Sequence, residues 1–155
     1  MAEVFFYQLS QRPLEVALAD LLEKTRARGW RALVRGTDTA RLARLDALLW
    51  TRQDEGFLPH GLEGGEFDAD QPVLLTCGDE NANEAQILML IDGARADVPR
   101  VREFERACLL FDGDDEAQLG NARADWKAIK DAGLPAQYWA IENGQWKKKA
   151  ENAGT

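Results

Sequence analysis

Three cations recur at helical spacing in the stretch ARADWKAIKDAG, residues 122–133. Arg123, Lys127 and Lys130 stand at i, i+4 and i+7, so they share one face if the segment is helical. Trp126 and Ile129 fall beside that face, toward the body of the protein. Leu134 follows Gly133, where the helix should stop, and could close an apolar notch beside the cations. A guanidinium next to such a notch suits a peptide ending in an aromatic residue with a free carboxylate. The arginine would grip the carboxylate through paired hydrogen bonds, and the notch would take the ring. Lys127 and Lys130 would attract acidic residues just upstream in the same peptide. An amphipathic helix with a solvated basic edge and a core tryptophan would use the same residues, and spacing does not separate these readings.

A second constellation joins Trp50 to the loop motif Gly56-Phe57-Leu58-Pro59-His60. A tryptophan at a helix end, followed by Phe-Leu-Pro-His in irregular chain, can expose an aromatic surface of the kind that anchors protein interfaces. The alternative is that Trp50 and Phe57 pack under the loop and tether it.

Other chemistry finds no motif. There is no phosphate-binding Gly-Lys-Ser/Thr loop and no G-x-G-x-x-G after the first strand; the Gly64-Gly65 pair sits in irregular chain. No G-x-S-x-G elbow occurs. The single histidine, His60, has no nearby cysteine or second histidine to share a transition metal. Asp79, Glu80 and Glu84, and again Asp112, Asp114, Asp115 and Glu116, cluster without calcium-loop spacing and read as turn charges and helix caps. Cys77 and Cys108 lie in apolar stretches and read as reduced core residues. No catalytic residue, metal ligand or cofactor is therefore expected.

The elements that must position these residues alternate. VFFYQL, residues 4–9, reads as a buried strand, and LEVALADLLEKTRARG as a helix with a stripe of Leu14, Ala17, Leu18, Leu21 and Leu22, ended by Gly29. Trp30 to Val34 reads as a strand. A helix capped by Thr37 or Asp38 follows, with its stripe at Leu42, Leu45, Leu48 and Leu49. Residues 50–70, rich in Gly and acid, read as a long loop. Strands are expected at 73–76, 86–91, 107–111 and 136–142, a short helix around 100–105, and a helix over about 115–132 ended by Gly133 and Pro135. Asn143-Gly144 signals a turn. This pattern predicts an α/β fold with a mostly parallel central sheet under helical cover. A single domain over 1–149 is expected, with residues 150–155 frayed.

The 155 residues carry a net charge of −8, which makes the chain a poor direct ligand for phosphate backbones. No apolar run approaches a membrane span, and MAEVFFYQLSQ lacks the basic start and long apolar centre of a signal peptide, so a cytoplasmic location and no membrane partner are expected.

At these motifs the sequence resembles the chi-subunit family of bacterial DNA polymerase III. VFFYQL is similar to the family's aromatic first strand. RLARLDALLWTRQDEGFLPHGL resembles its Leu-Asp-x-x-Leu-Trp, spacer, Phe-x-Pro-His pattern, and ARADWKAIKDAG its Arg-x-x-aromatic-Lys helix ending at Ala-Gly. The resemblance implies a three-layer α/β/α sandwich with a mostly parallel central sheet, similar to nucleotide-binding domains but without a phosphate loop, and a non-catalytic adaptor with two protein surfaces. One receives the acidic, Phe-ended C-terminal tail of single-strand-binding protein at Arg123, Trp126 and Leu134, aided by Lys127 and Lys130. The other, around Trp50, Phe57, Leu58, Pro59 and His60, meets the psi subunit or another clamp-loader component. DNA would be met mainly indirectly. Where family members can carry a second basic residue one turn before Arg123, this chain has Leu119.

Two other functions compete. One is a nucleotide-binding regulatory domain, motivated by the βαβα start. The other is a direct single-stranded DNA binder stacking bases on Trp30, Trp126, Trp139 and Trp146, a role that the net charge opposes; Lys147 to Lys149 read as a solvated tail.

Overall fold

The computed structural model describes residues 2–10, 13–51, 60–64 and 68–154. Its elements run β1 (Glu3–Leu9), α1 (Leu14–Ala27), β2 (Ala32–Arg35), α2 (Thr39–Thr51), β3 (Gly61–Leu62), β4 (Val73–Thr76), β5 (Ile87–Leu90), α3 (Val98–Val101), β6 (Arg106–Asp112), α4 (Glu116–Asp131), β7 (Ala136–Glu142) and β8 (Gln145–Asn152). The strands lie in the order β3-β4-β2-β5-β6-β1-β7-β8. All neighbours are parallel except β7 and β8.

Every residue of β2, β4 and β5 is buried, as befits central parallel strands covered on both faces. On one face Leu18 and Leu22 of α1 and Leu42, Leu45 and Leu49 of α2 pack on Val34, Leu75, Met89 and Leu110. On the other, Val101 of α3 and Ala122 and Ile129 of α4 pack on Val4, Phe6, Leu109 and Phe111. Each such leucine contributes about 1.5–3 kcal/mol by leaving water. The result is the expected three-layer α/β/α sandwich.

Several details differ from the sequence reading. Residues 61–62, inside the expected loop, form an edge strand on β4, too short to show any periodicity. The helix expected at 100–105 lies at Val98–Val101, because Pro99 fits a first turn and Phe104 turns into the core. The second strand starts at Ala32, since Trp30 still belongs to the α1 stop: its N–H reaches the Thr25 carbonyl across Gly29, which has φ 79°. The chain continues past Lys149 as β8, where fraying was expected; pairing runs on until Asn152 lies opposite Ala136. Cys77 and Cys108 are free, and burial pushes the Cys108 thiol up to about 12, leaving it inert at neutral pH. Among the described residues, no helix is long and apolar enough to cross a membrane.

Candidate peptide-binding site

α4 carries the basic face because both of its ends and its rotation are fixed. Asp115 caps the start, its carboxylate accepting from the N–H groups of Ala117 at 2.9 Å and Gln118 at 3.1 Å. Gly133, with φ 78°, turns the chain at the end, and the Leu134 N–H donates to the Ile129 carbonyl at 3.2 Å. Rotation is set by Asp125, which is buried and accepts from Arg95 Nε and Nη2 at 3.0 and 2.8 Å and from the Ala96 N–H at 3.0 Å. With Ala122, Asp125 and Ile129 inward, Arg123, Lys127 and Lys130 face solvent.

Removing the Asp125 carboxylate should therefore loosen the helix on which the cations ride. Asp125→Ala is expected to lower unfolding stability by about 1.5–3 kcal/mol, the range for hydrogen bonds to a charged group, because half-exposed Arg95 can rehydrate but the Ala96 N–H loses its acceptor. The shift of a urea unfolding midpoint at constant slope measures it; an unchanged midpoint would mean that Asp125 does not hold α4.

Beside α4 lies a recess of ≈ 360 Å³, open to solvent and lined by Arg123, Trp126, Tyr138, Lys149 and Ala150. Its floor is aromatic. Trp126 meets Phe6 edge-on at 5.2 Å and Tyr138 at 6.0 Å, and Tyr138 stacks on Phe6 at 6.4 Å and 10°. The Tyr138 hydroxyl donates to Gln8 Oε1, and burial raises its pKa above the ordinary value against an opposing pull from Arg123. Among the described residues, no carboxylate lies within ion-pairing distance of Arg123. A guanidinium in that position can take a ligand carboxylate in both of its N–H rows while a ring lies on the floor.

The predicted residues do not all meet here. Arg123 and Trp126 line the recess. Leu134 does not: at 1% exposure it is the apolar partner of Ile129 in the helix stop and points into the core. Lys127 is exposed but bound to Asp131 one turn on, at 2.8 Å. Lys130 is exposed outside the recess lining. Tyr138, Lys149 and Ala150 were not anticipated. Alternation along β7 could have placed Tyr138 on the α4 face with Ala136, and the Asn-Gly turn could have returned a strand beside it.

The second predicted surface is only partly described. Phe57, Leu58 and Pro59 lie outside the described residues, as does the side chain of Trp50, whose backbone ends α2. His60 is not the exposed loop residue that its motif suggested. Its side chain is fully buried, and Nε2–H donates to the Asp46 carbonyl of α2 at 3.2 Å. It thus fastens the loop end to α2 rather than offering its ring to a partner.

A hollow of ≈ 480 Å³ lies at the C-terminal ends of β1 and β6, where open α/β sheets hold nucleotides. Glu15, Asp92, Asp112 and Asp114 rim it, and the one cation among the described lining residues, Arg41, is tied to Asp92 at 3.3 Å. A phosphate there would meet like charge. The tryptophans sit on opposite faces of the sheet: Trp126 packs with Phe6 on the α4 side, while Trp146 packs on Tyr7 and Trp30 lies under Arg28 on the other. One strand crossing one face could not stack on them all.

Comparison with known proteins gives one consistent result. The family model described as "DNA polymerase III chi subunit, HolC" matches residues 1–137. The chain is similar to the DNA polymerase III subunit chi of Pseudomonas aeruginosa, 36% identical over 142 residues that cover 88% of this chain and 95% of that protein. It is also similar to a probable DNA polymerase III subunit chi of Rickettsia prowazekii, 28% identical over 111 residues, 72% of this chain but just under two thirds, 66%, of that protein. With its first strand, its α2 pattern and its Arg123 helix inside the matched stretch, the chain belongs to the DNA polymerase III chi subunit family, a component family of a DNA-replicating polymerase complex.

Proposed function

We propose that this protein is a non-catalytic adaptor that joins the polymerase III clamp-loader assembly to the acidic, Phe-ended C-terminal tail of single-strand-binding protein. The observation that carries the proposal is Arg123, which among the described residues joins no ion pair, lining an aromatic recess open to solvent. The tail's terminal carboxylate would engage Arg123 and its phenyl ring would lie on Trp126 and Tyr138. The acidity of the whole chain, at net charge −8, keeps the adaptor off DNA phosphates while a local basic notch selects an acidic tail. The opposite attachment, to a psi subunit or another clamp-loader component, would use Trp50, Phe57, Leu58 and Pro59, next in sequence to His60, whose ring is hydrogen-bonded to the α2 backbone.

A short tail buries little area, so affinity of about micromolar order is expected. Such a contact is useful when many tails coat one strand, because linked copies raise the effective concentration of the tethered assembly. Capture of full-length single-strand-binding protein, compared with a version lacking its C-terminal tail, tests the reading. Capture should be lost on truncation; equal capture of both would end the proposal.

A further inference from the structure

We infer that Lys149, carried on a β-bulge of β8, is the second cation of this peptide site, and that Glu142 occupies its ammonium until a ligand carboxylate replaces it. The inference rests on the proposed tail-binding role of the Arg123 recess and adds to it a residue from an element beyond residues 1–137.

The register of the hairpin carries the argument. Tyr138 lies opposite Ala150, and Trp139 lies opposite Lys148. Lys149 is therefore the extra residue, with no counterpart on β7. In a regular strand, residues 149 and 150 would face opposite sides of the sheet. Here both line the recess, across from Arg123. Bulges commonly re-aim a side chain beside a site, and this one adds a cation to an aromatic floor while leaving the small Ala150 against Tyr138.

Among the described residues, Arg123 and Lys149 are the cations that line the recess. Leu119, one turn before Arg123, packs on the core, and neither Lys127 nor Lys130 lines the recess. Lys149 is not idle in the free protein: its ammonium pairs with Glu142 Oε2, the two side chains being 45% and 50% exposed. That contact holds the Glu142 carboxyl below the usual carboxylate range. An ion pair so open to water is weak and exchangeable, so an acidic side chain of a bound peptide can take the place of Glu142. With Arg123 assigned to the terminal carboxylate, Lys149 is left for an acidic residue just upstream of it.

The test is calorimetric titration of the full-length protein with a synthetic acidic peptide ending in Phe, and with the same peptide bearing amides in place of its side-chain carboxylates. Lys149→Gln keeps the inner half of the aliphatic stem on the recess wall and removes the charge. It should weaken the acidic peptide about fivefold, the scale of one exposed charge contact, and leave the amide peptide unchanged. Glu142→Gln should tighten the acidic peptide about twofold by removing the internal competitor. Unchanged binding of the acidic peptide to Lys149→Gln would overturn the inference. So would equal weakening of both peptides, which would make Lys149 a wall rather than a charge, and so would weaker binding to Glu142→Gln. Arg123→Ala, titrated in parallel, separates the two claims. If it loses the peptide while Lys149→Gln does not, only the Lys149 inference falls; if neither variant loses it, the tail-binding reading falls with it. Melting temperatures equal to the parent's establish that the variants remain folded.

Discussion

Replacing Arg123 with alanine is expected to weaken binding of an acidic, Phe-ended peptide by about 30-fold or more, the effect of losing a contact worth about 2 kcal/mol at an interface hot spot. The fold should not notice. The side chain is solvent-exposed and, among the described residues, joins no ion pair, so stability should stay within about 0.5 kcal/mol of the parent. From a micromolar starting point, a 30-fold loss takes the complex close to the edge of calorimetric detection. Arg123→Lys should fall between parent and alanine, because a lysine keeps the charge but not the planar fork that meets both carboxylate oxygens. A peptide with an amidated C-terminus supplies the decisive comparison. If the guanidinium acts on the terminal carboxylate, parent and Arg123→Ala should bind the amidated peptide almost equally. A large difference that persists with the amide would assign Arg123 to some other group, and unchanged affinity for the free acid would remove it from the site.

Much of the molecule could be read from its residues for one physical reason: parallel strands covered on both faces are written as apolar runs, and their helices as stripes. β4 and β7 fall where they were expected, and Asp115 and Gly133 mark the ends of α4 as capping chemistry dictates. What was hidden depends on partners distant in sequence. β8 reads QWKKKAEN, and as an edge strand exposed at nearly every position it leaves no hydrophobic period. Its existence follows from the Asn143-Gly144 turn, both residues with positive φ, and from the open edge of β7. Nothing in the sequence around Asp125 marks it out, and only the approach of Arg95 and Ala96 from about thirty residues away makes it a buried anchor. Leu134 was placed at the notch by adjacency, but the helix stop directs it inward. His60 suggested an exposed loop, and the backbone of α2 claims it instead. The candidate site was thus half legible: its helix face was, and its opposite wall, built by a returning strand, was not.

Phe6→Ala should be the most damaging single change to the fold, and its consequences reach the recess. Phe6 is fully buried at the centre of β1, the strand that joins β6 to β7. Truncating a buried phenylalanine typically costs about 3–5 kcal/mol, the transfer loss plus the cavity left behind. Against a typical domain stability of about 5–15 kcal/mol, that is a large fraction, and at about 2–4 °C per kcal/mol it should lower the melting temperature by about 6–20 °C. The ring is also the underside of the site, since Trp126 stands edge-on to it and Tyr138 stacks against it. Phe6→Leu isolates that second role. It keeps most of the volume but removes aromatic contacts worth about 0.5–1.5 kcal/mol each, so the protein should fold with a smaller loss while Trp126 and Tyr138 lose their common backing. Peptide affinity should then drop several-fold in a variant that still unfolds cooperatively. If Phe6→Leu lowers stability and leaves affinity untouched, the recess floor is held by α4 and β7 alone. The two variants thus test opposite ends of one assembly. Arg123→Ala removes recognition and spares the fold, whereas Phe6→Leu reaches recognition only through the packing beneath it.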